Sequence, residues 1–193
     1  MKQVVIDVLP GVYPPSDDSY MLADVVNRMD LKGKKFLEIG CGSGIVSITA
    51  AVRGADVTAV DINPVAVECT RRNAEKSGVK INAFVSDIFQ NVEGEYDVIS
   101  FNPPYLPGTE GDPDYDVAWS GGEDGRAVID RFLAEVDKYL KPCGVLLLVQ
   151  SSLNNPAKTT EILEKMGYSV EIAAQEKFFM ETLYVFRAVK PCQ

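Results

Sequence analysis

Asn102-Pro103-Pro104-Tyr105 is the stretch of this chain best equipped for chemistry. An asparagine offers a side-chain carbonyl as acceptor, and two prolines stiffen the backbone while removing two of its N–H donors. Acceptor oxygens are then left facing a pocket, with a tyrosine ring beside them. Such a site suits a planar nitrogen carrying N–H donors: a carboxamide, or the exocyclic amino group of a base. The plainer reading is a rigid proline turn with a packing aromatic. The residues just ahead, Val98-Ile99-Ser100-Phe101, form an apolar run that reads as a buried strand. The tetrapeptide therefore falls at a strand's carboxyl end, where open α/β sheets hold their ligands.

A second constellation lies upstream. Glu38-Ile39-Gly40-Cys41-Gly42-Ser43-Gly44 follows an apolar strand and opens a helix. Glycines at 40, 42 and 44, with Cys41 between, allow a tight turn and close approach of a ligand to a positively polarised helix end. The pattern is shorter than the dinucleotide G-x-G-x-x-G, which disfavours a pyrophosphate cradle, and no Gly-Lys-Ser/Thr follows, which excludes a P-loop. Asp61, 21 residues after Gly40 and next to Ile62, ends a second strand where an acid can bind both hydroxyls of a ribose. Asp87 ends a third, placed to take an adenine amino group while Ile88 packs on the ring. Singly, Asp61 also reads as a turn residue before Asn63-Pro64, and Asp87 as a loop acid. Glu38 is sharper, because an acid at an apolar strand end is costly unless a partner satisfies it. A cationic ligand carrying a sulfonium and an amino group would do so.

These residues need a scaffold, and 193 residues suffice for one domain spanning 1–193 with an unstapled core. A hydrophobic fraction of 46% and a charged fraction of 24% are ordinary for a soluble globular protein. No apolar run approaches a membrane span, and the amino terminus lacks the apolar core of a signal peptide. The chain holds no histidine, which excludes Ser-His-Asp and Cys-His mechanisms and disfavours zinc. Cys41, Cys69, Cys143 and Cys192 lack Cys-x-x-Cys spacing and read as free thiols in a reducing cytoplasm. A net charge of −9 argues against whole-surface binding of nucleic acid and favours a basic protein partner or a cationic small molecule.

Strands are expected over 35–39, 56–60, 80–85, 96–101 and 144–150, alternating with helices over 45–53, 65–77, about 125–140 and about 156–166. Pro64 suits a first helical turn and Gly78 a helix end. Residues 168–176 and 182–189 read as an antiparallel pair, and 20–29 as an amino-terminal helix. The architecture is α/β: a doubly wound, mostly parallel, seven-stranded Rossmann-like sheet with a carboxyl-terminal antiparallel hairpin. Residues 1–30 read as a segment covering the ligand. Residues 106–124, dense in Gly, Pro and Asp, read as a functional loop.

The chain resembles class I S-adenosylmethionine-dependent methyltransferases from about Leu9 onward. Within them it is similar to the HemK-like group that methylates a glutamine of class I translation release factors, and closer to its short archaeal and eukaryotic branch. Val12-Tyr13-Pro14-Pro15-Ser16-Asp17-Asp18-Ser19-Tyr20, residues 37–46, 58–64 and 101–105, Ala118-Trp119-Ser120-Gly121-Gly122 with Gly125-Arg126, and Glu181-Thr182-Leu183 carry the resemblance. The glycine loop is common to the superfamily, and Asn-Pro-Pro-Tyr is shared by glutamine and adenine-amino methyltransferases. The amino-terminal Tyr-Pro segment together with Trp-Ser-Gly-Gly points to this group. The resemblance implies S-adenosyl-L-methionine as cofactor, held by Ser19, Glu38, Gly40, Asp61, Asp87, Ile88 and Asn102. It also implies a small zinc-binding activator subunit paired along a sheet edge. Ser19 replaces the family's threonine and keeps the hydroxyl; Cys41 stands where glycine or serine is common.

On this reading Asn102 and the Pro103 carbonyl accept the amide N–H donors of the acceptor, while Pro104 and Tyr105 shape the pocket and exclude water. Trp119 is either a wall of the acceptor pocket or a loop anchor. Arg126 reads as a brace for the helix that follows, and Tyr13, Asp17 and Asp18 as a cover for the cofactor or an N-cap cluster. Glu110, Asp112, Asp114 and Asp116 form a solvated loop or attract a basic substrate loop. The other chemistries open to this sequence are methylation of adenine N6 or a guanine amino group in nucleic acid, and methylation of protein lysine.

Overall fold

The computed structural model describes residues 3–105 and 125–193. Trp119, the acids between 110 and 116 and the whole 106–124 loop lie outside the described residues. Seven strands form one sheet: β1 (Lys35–Ile39), β2 (Asp56–Asp61), β3 (Asn82–Val85), β4 (Tyr96–Phe101), β5 (Leu140–Ser151), β6 (Ser169–Lys177) and β7 (Thr182–Val189). Their order is β3-β2-β1-β4-β5-β7-β6, with the first five parallel and β7 antiparallel to both neighbours. The expected doubly wound sheet with an antiparallel carboxyl-terminal pair is present.

Strand alternation decides what the two faces bury. Leu37, Ile39, Ile99, Phe101, Leu146 and Leu148 face α4 (Ala127–Glu135) and α5 (Pro156–Lys165), where Ile129, Phe132, Leu133 and Leu163 are buried. Phe36, Val57, Val98, Leu147 and Val149 face α1 (Asp17–Asn27) and α2 (Ile45–Val52). Val67 of α3 (Pro64–Lys76) packs against Ala59 and Ala83. The layers are helices, sheet, helices. The chain crosses from one side to the other between β1 and β4, the switch point where such folds open a crevice.

The boundaries differ from expectation where local chemistry outweighs periodicity. Helix α1 begins at Asp17 rather than 20, with Ser16 extended before it, so Asp18 falls within the first turn. Strand β5 begins at Leu140, ahead of the expected 144. Its pairing with β4 shifts register between Tyr96 and Val98, and this irregularity accommodates Pro142. The helix expected to 140 ends at Glu135 and tightens into a 3₁₀ turn over Val136–Lys138.

The cysteine expectation is corrected. Cys143 and Cys192 form a disulfide with Cα atoms 4.4 Å apart, whereas Cys41 and Cys69 are free and buried. The antiparallel register brings Val145 opposite Val189, and Cys143 N–H donates to Pro191 O at 3.2 Å. The end of the chain thus lies beside the start of β5, within disulfide reach. Among the described residues no helix is long and apolar enough to cross a membrane.

Candidate active site

The carboxyl ends of β1, β2, β3 and β4 open into a cavity of about 600 Å³. Glu38, Gly40, Cys41, Gly42, Asp61, Ile62, Asp87, Ile88, Asn102, Pro104 and Ser19, all expected at the site, line it together. In the sheet Glu38 lies between Ala59 and Ser100, two small side chains that leave room above it. It is 3% exposed, and one carboxylate oxygen accepts from Ser47 N–H at 2.8 Å and from the Ser47 hydroxyl. Burial pushes its carboxyl up to about 8 against these hydrogen bonds, with Asp61 adding to the rise. Asp61 accepts from Gly42 N–H and Asn63 N–H, each at 2.9 Å, and burial raises its carboxyl too. Two carboxylates held beside a cavity at the cost of desolvation suit a ligand that brings positive charge and hydroxyl donors.

The turn between them is set by backbone geometry. Gly44 precedes α2 at φ +85°, and a Cβ there would stand 2.9 Å from Thr70 Oγ1. Only glycine meets both conditions. Gly44 caps α2 from behind rather than lining the cavity. Burial raises the Cys41 thiol well above its usual range, so it packs as a small apolar group. Ile88 is held at φ +50°, unusual for a β-branched residue, and is 5% exposed at the cavity wall. Asp87 forms an ion pair with Arg131 at 2.7 Å. Arg131 was not singled out from sequence. It follows Ala127 by one helical turn, and both line the cavity, a signal readable once α4 is set against β4.

At the other end stands the proline turn. Asn102 Oδ1 is buried and, among the described residues, has no hydrogen-bond partner. Pro103 is buried, and Tyr105 is anchored at both ends. Its carbonyl accepts from Asn154 Nδ2 at 2.9 Å, and its hydroxyl donates to Asp18 Oδ2 at 3.3 Å. Asp18, 3% exposed, also accepts from Tyr13 OH and from the Ser19 N–H and hydroxyl. Burial, with the Asp18 charge behind it, pushes the Tyr13 phenol up to about 12 and raises Tyr105 further, so both remain donors. The amino-terminal segment is thereby fastened over the cavity and to the proline turn.

Sequence reasoning found the Arg126 brace behind Tyr105 but missed the partners it reaches. Arg126 is 2% exposed and donates to Asn154 O at 2.6 Å, Asn155 O at 3.1 Å and Thr159 Oγ1 at 2.9 Å. Its bracing role extends beyond α4, since it joins α4 to the turn that orients Asn154. Gly125 has no space for a side chain, because a Cβ would lie 2.4 Å from Tyr105 O. Asn73, also missed, fastens the segment before Leu9 to α3 by exchanging hydrogen bonds with the Asp7 backbone at 3.0 and 2.7 Å.

Known proteins resemble this chain in sequence and in fold. A family model described as "Methyltransferase small domain" matches residues 8–181. A Methanocaldococcus jannaschii protein, provisionally named a protein N5-glutamine methyltransferase, is 45% identical over 97% of this chain and 96% of its own. Human "Methyltransferase HEMK2" is 33% identical over 93% of this chain and 90% of its own. Among solved structures, a chain of the E. cuniculi Mtq2–Trm112 complex superposes with a TM-score of 0.77 at 30% identity. It covers 93% of this chain and 98% of that one, and the complex is described as responsible for methylating the translation termination factor eRF1. By its sheet order, its glycine turn between paired acids and these likenesses, the chain belongs to the methyltransferase small-domain family, in the HemK-like archaeal and eukaryotic branch.

Proposed function

We propose that the protein uses S-adenosyl-L-methionine to methylate the side-chain amide nitrogen of a glutamine in a class I release factor, in the cytoplasm. The observation that carries this reading is the buried Oδ1 of Asn102 at the cavity wall, which has no partner among the described residues. A buried acceptor without a donor is costly, and an incoming N–H removes that cost.

The residues fit the cofactor. When bound, it supplies an electrophilic methyl on a positively charged sulfur. Glu38 would face its cationic end, Asp61 its ribose hydroxyls and Asp87 its adenine amino group, with Ile62 and Ile88 against the ring. Gly40, Cys41 and Gly42 let the turn approach closely, and Ser19 adds a hydroxyl from α1.

On the acceptor side, an amide nitrogen is a poor nucleophile because its lone pair is delocalised. Asn102 Oδ1 and the Pro103 carbonyl accept its two N–H groups, which orients the nitrogen and concentrates electron density on it. Positioning and preset dipoles can each supply several kcal/mol of the barrier. Pro104 and Tyr105 shape the pocket around the nitrogen and limit the access of water. As positive charge builds on the nitrogen, its N–H groups on Asn102 Oδ1 and the Pro103 carbonyl would become acidic, and one proton would leave for solvent as the product departs, so no histidine is needed. A small zinc-binding partner subunit pairs along a sheet edge.

Incubation with labelled S-adenosylmethionine and purified release factor, with and without the partner subunit, tests this reading when followed by mass-spectrometric site mapping. Label on a glutamine amide is expected. Label confined to lysine, or to naked nucleic acid in a parallel reaction, would overturn it.

A further inference from the structure

We infer that the β6–β7 turn is a docking surface for the protein substrate, engaging an apolar segment flanked by basic residues. The inference rests on the proposed protein acceptor and concerns how that acceptor is held.

Phe179 at the tip is fully exposed and Met180 is 78% exposed. A single exposed apolar residue needs no explanation, but here several meet. Leu153, 58% exposed, follows Ser152, whose hydroxyl accepts from Thr182 N–H at 3.0 Å at the foot of the turn. Tyr20, 54% exposed, lines a groove of about 230 Å³ between α1 and the end of β6 that leads into the turn.

The display is fixed rather than loose. Phe178 N–H donates to Glu181 O at 2.8 Å, closing the turn, and the buried Ser151 hydroxyl donates to the Glu181 carboxylate. A turn whose backbone is already closed loses little backbone entropy on contact, which favours its apolar side chains as anchors at an interface.

Position and charge choose the occupant. Ser151 ends β5, whose Leu148 pairs with Phe101, the residue before Asn102. Glu181 is near enough for its charge to act on the Tyr105 hydroxyl. The turn is therefore continuous with the mouth where the acceptor enters. The adjoining groove carries Asp17, Asp24 and Glu176 against one cation, Arg28. An acidic groove beside an apolar tip repels a nucleic-acid backbone and favours a peptide segment with Lys or Arg beside a large apolar side chain.

The test compares the full-length wild type with Phe179→Ser/Met180→Ser and, separately, Glu176→Lys. These side chains are exposed, so both variants should fold as the wild type. Binding of release factor is measured by titration calorimetry, and turnover with labelled S-adenosylmethionine on the whole factor and on a short peptide around its acceptor glutamine. The double variant should weaken binding and raise KM for the whole factor by about tenfold or more, with kcat and peptide turnover unchanged. Glu176→Lys should weaken binding several-fold and flatten its salt dependence. If the wild type methylates the factor and both variants bind it as well as the wild type, the docking inference is wrong and the proposed function stands. If the wild type binds through the turn but transfers no methyl to glutamine, the docking stands and the proposed acceptor falls. Wild type that neither binds nor methylates the factor overturns both.

Discussion

Asn102 Oδ1 and the Glu38 carboxyl are both unfavourable in the free protein, and each is a handle for measurement. Replacing Asn102 with Ala removes a buried acceptor that has no donor among the described residues, so the unfolding midpoint should stay level or rise. Turnover should nevertheless fall by about 10²–10³-fold, the usual effect of deleting one preorganised hydrogen-bonding group from an acyl- or group-transfer site. Single-turnover kinetics with saturating substrates checks this, and a loss below threefold would remove Asn102 from the chemistry. Glu38 gives a pH dependence. Its carboxyl is raised from an ordinary value of 4.5 to about 8, so the folded protein holds a proton that the unfolded chain releases. Its contribution is therefore fully present below pH 4.5 and is lost as pH rises through about 8. Denaturant unfolding of the wild type should show this decline, and Glu38→Gln should flatten it. A cationic ligand reverses the preference, since it binds the ionised carboxylate. Affinity for S-adenosylmethionine should accordingly tighten between pH 6 and 8, with proton release detectable by calorimetry in buffers of different ionisation enthalpy. Glu38→Gln should abolish both the affinity and the proton release.

At the scale of elements, the active turn depends on a frame that runs through Arg126. This side chain joins the start of α4 to Asn154 and Thr159, and Asn154 in turn holds the Tyr105 carbonyl. Arg126→Met keeps much of the volume but strands buried acceptors. It should lower stability by roughly 2–4 kcal/mol in urea unfolding, since each unsatisfied buried group costs about 1–3. A loss under 1 kcal/mol would show that the frame tolerates its absence. The strands that carry the site were readable because their apolar runs are short, bounded and regular: β1, β4 and β7 lie where the pattern puts them. Acids at strand ends were readable for the same reason, as Glu38 and Asp61 sit where an apolar run stops. The frame was readable only in part. Arg126 was readable as a brace for α4, and its ion pair with Asp130 at 2.6 Å agrees, but its reach to Asn154 and Thr159, like that of Asn73 to Asp7, spans 28 to 66 residues, and no local spacing encodes such pairs. Asp18 was placed in the right segment, but its burial between Tyr13 and Tyr105 depends on where α1 meets the proline turn.

Across the whole molecule, chemistry and reinforcement lie at opposite ends of the sheet. Asn102, Asp61 and Ser151 lie at the carboxyl ends of β4, β2 and β5, whereas Cys143 lies near the amino end of β5. Its bond to Cys192 was hidden from sequence because the register of β5 with β7, rather than any cysteine spacing, brings the two together. The bond closes a loop with a sequence separation of 49 residues. Chain-entropy arguments give such a cross-link up to about 4 kcal/mol of stabilisation through the unfolded state. The last few residues are otherwise held by backbone contacts such as Lys190 N–H to Gly144 O at 2.9 Å, and by the Lys190 ammonium on Leu140 O. These contacts keep β7 in register without the bond. Reduction, or Cys143→Ser/Cys192→Ser, should therefore lower stability by a few kcal/mol while methyl transfer at 25 °C stays within twofold of the oxidised protein. Parallel denaturation and activity measurements with and without dithiothreitol decide the matter. If reduction abolished transfer under conditions where the protein stays folded, the two ends of the sheet would be coupled, and the carboxyl-terminal strand would have to be counted among the elements that set the geometry of Tyr105.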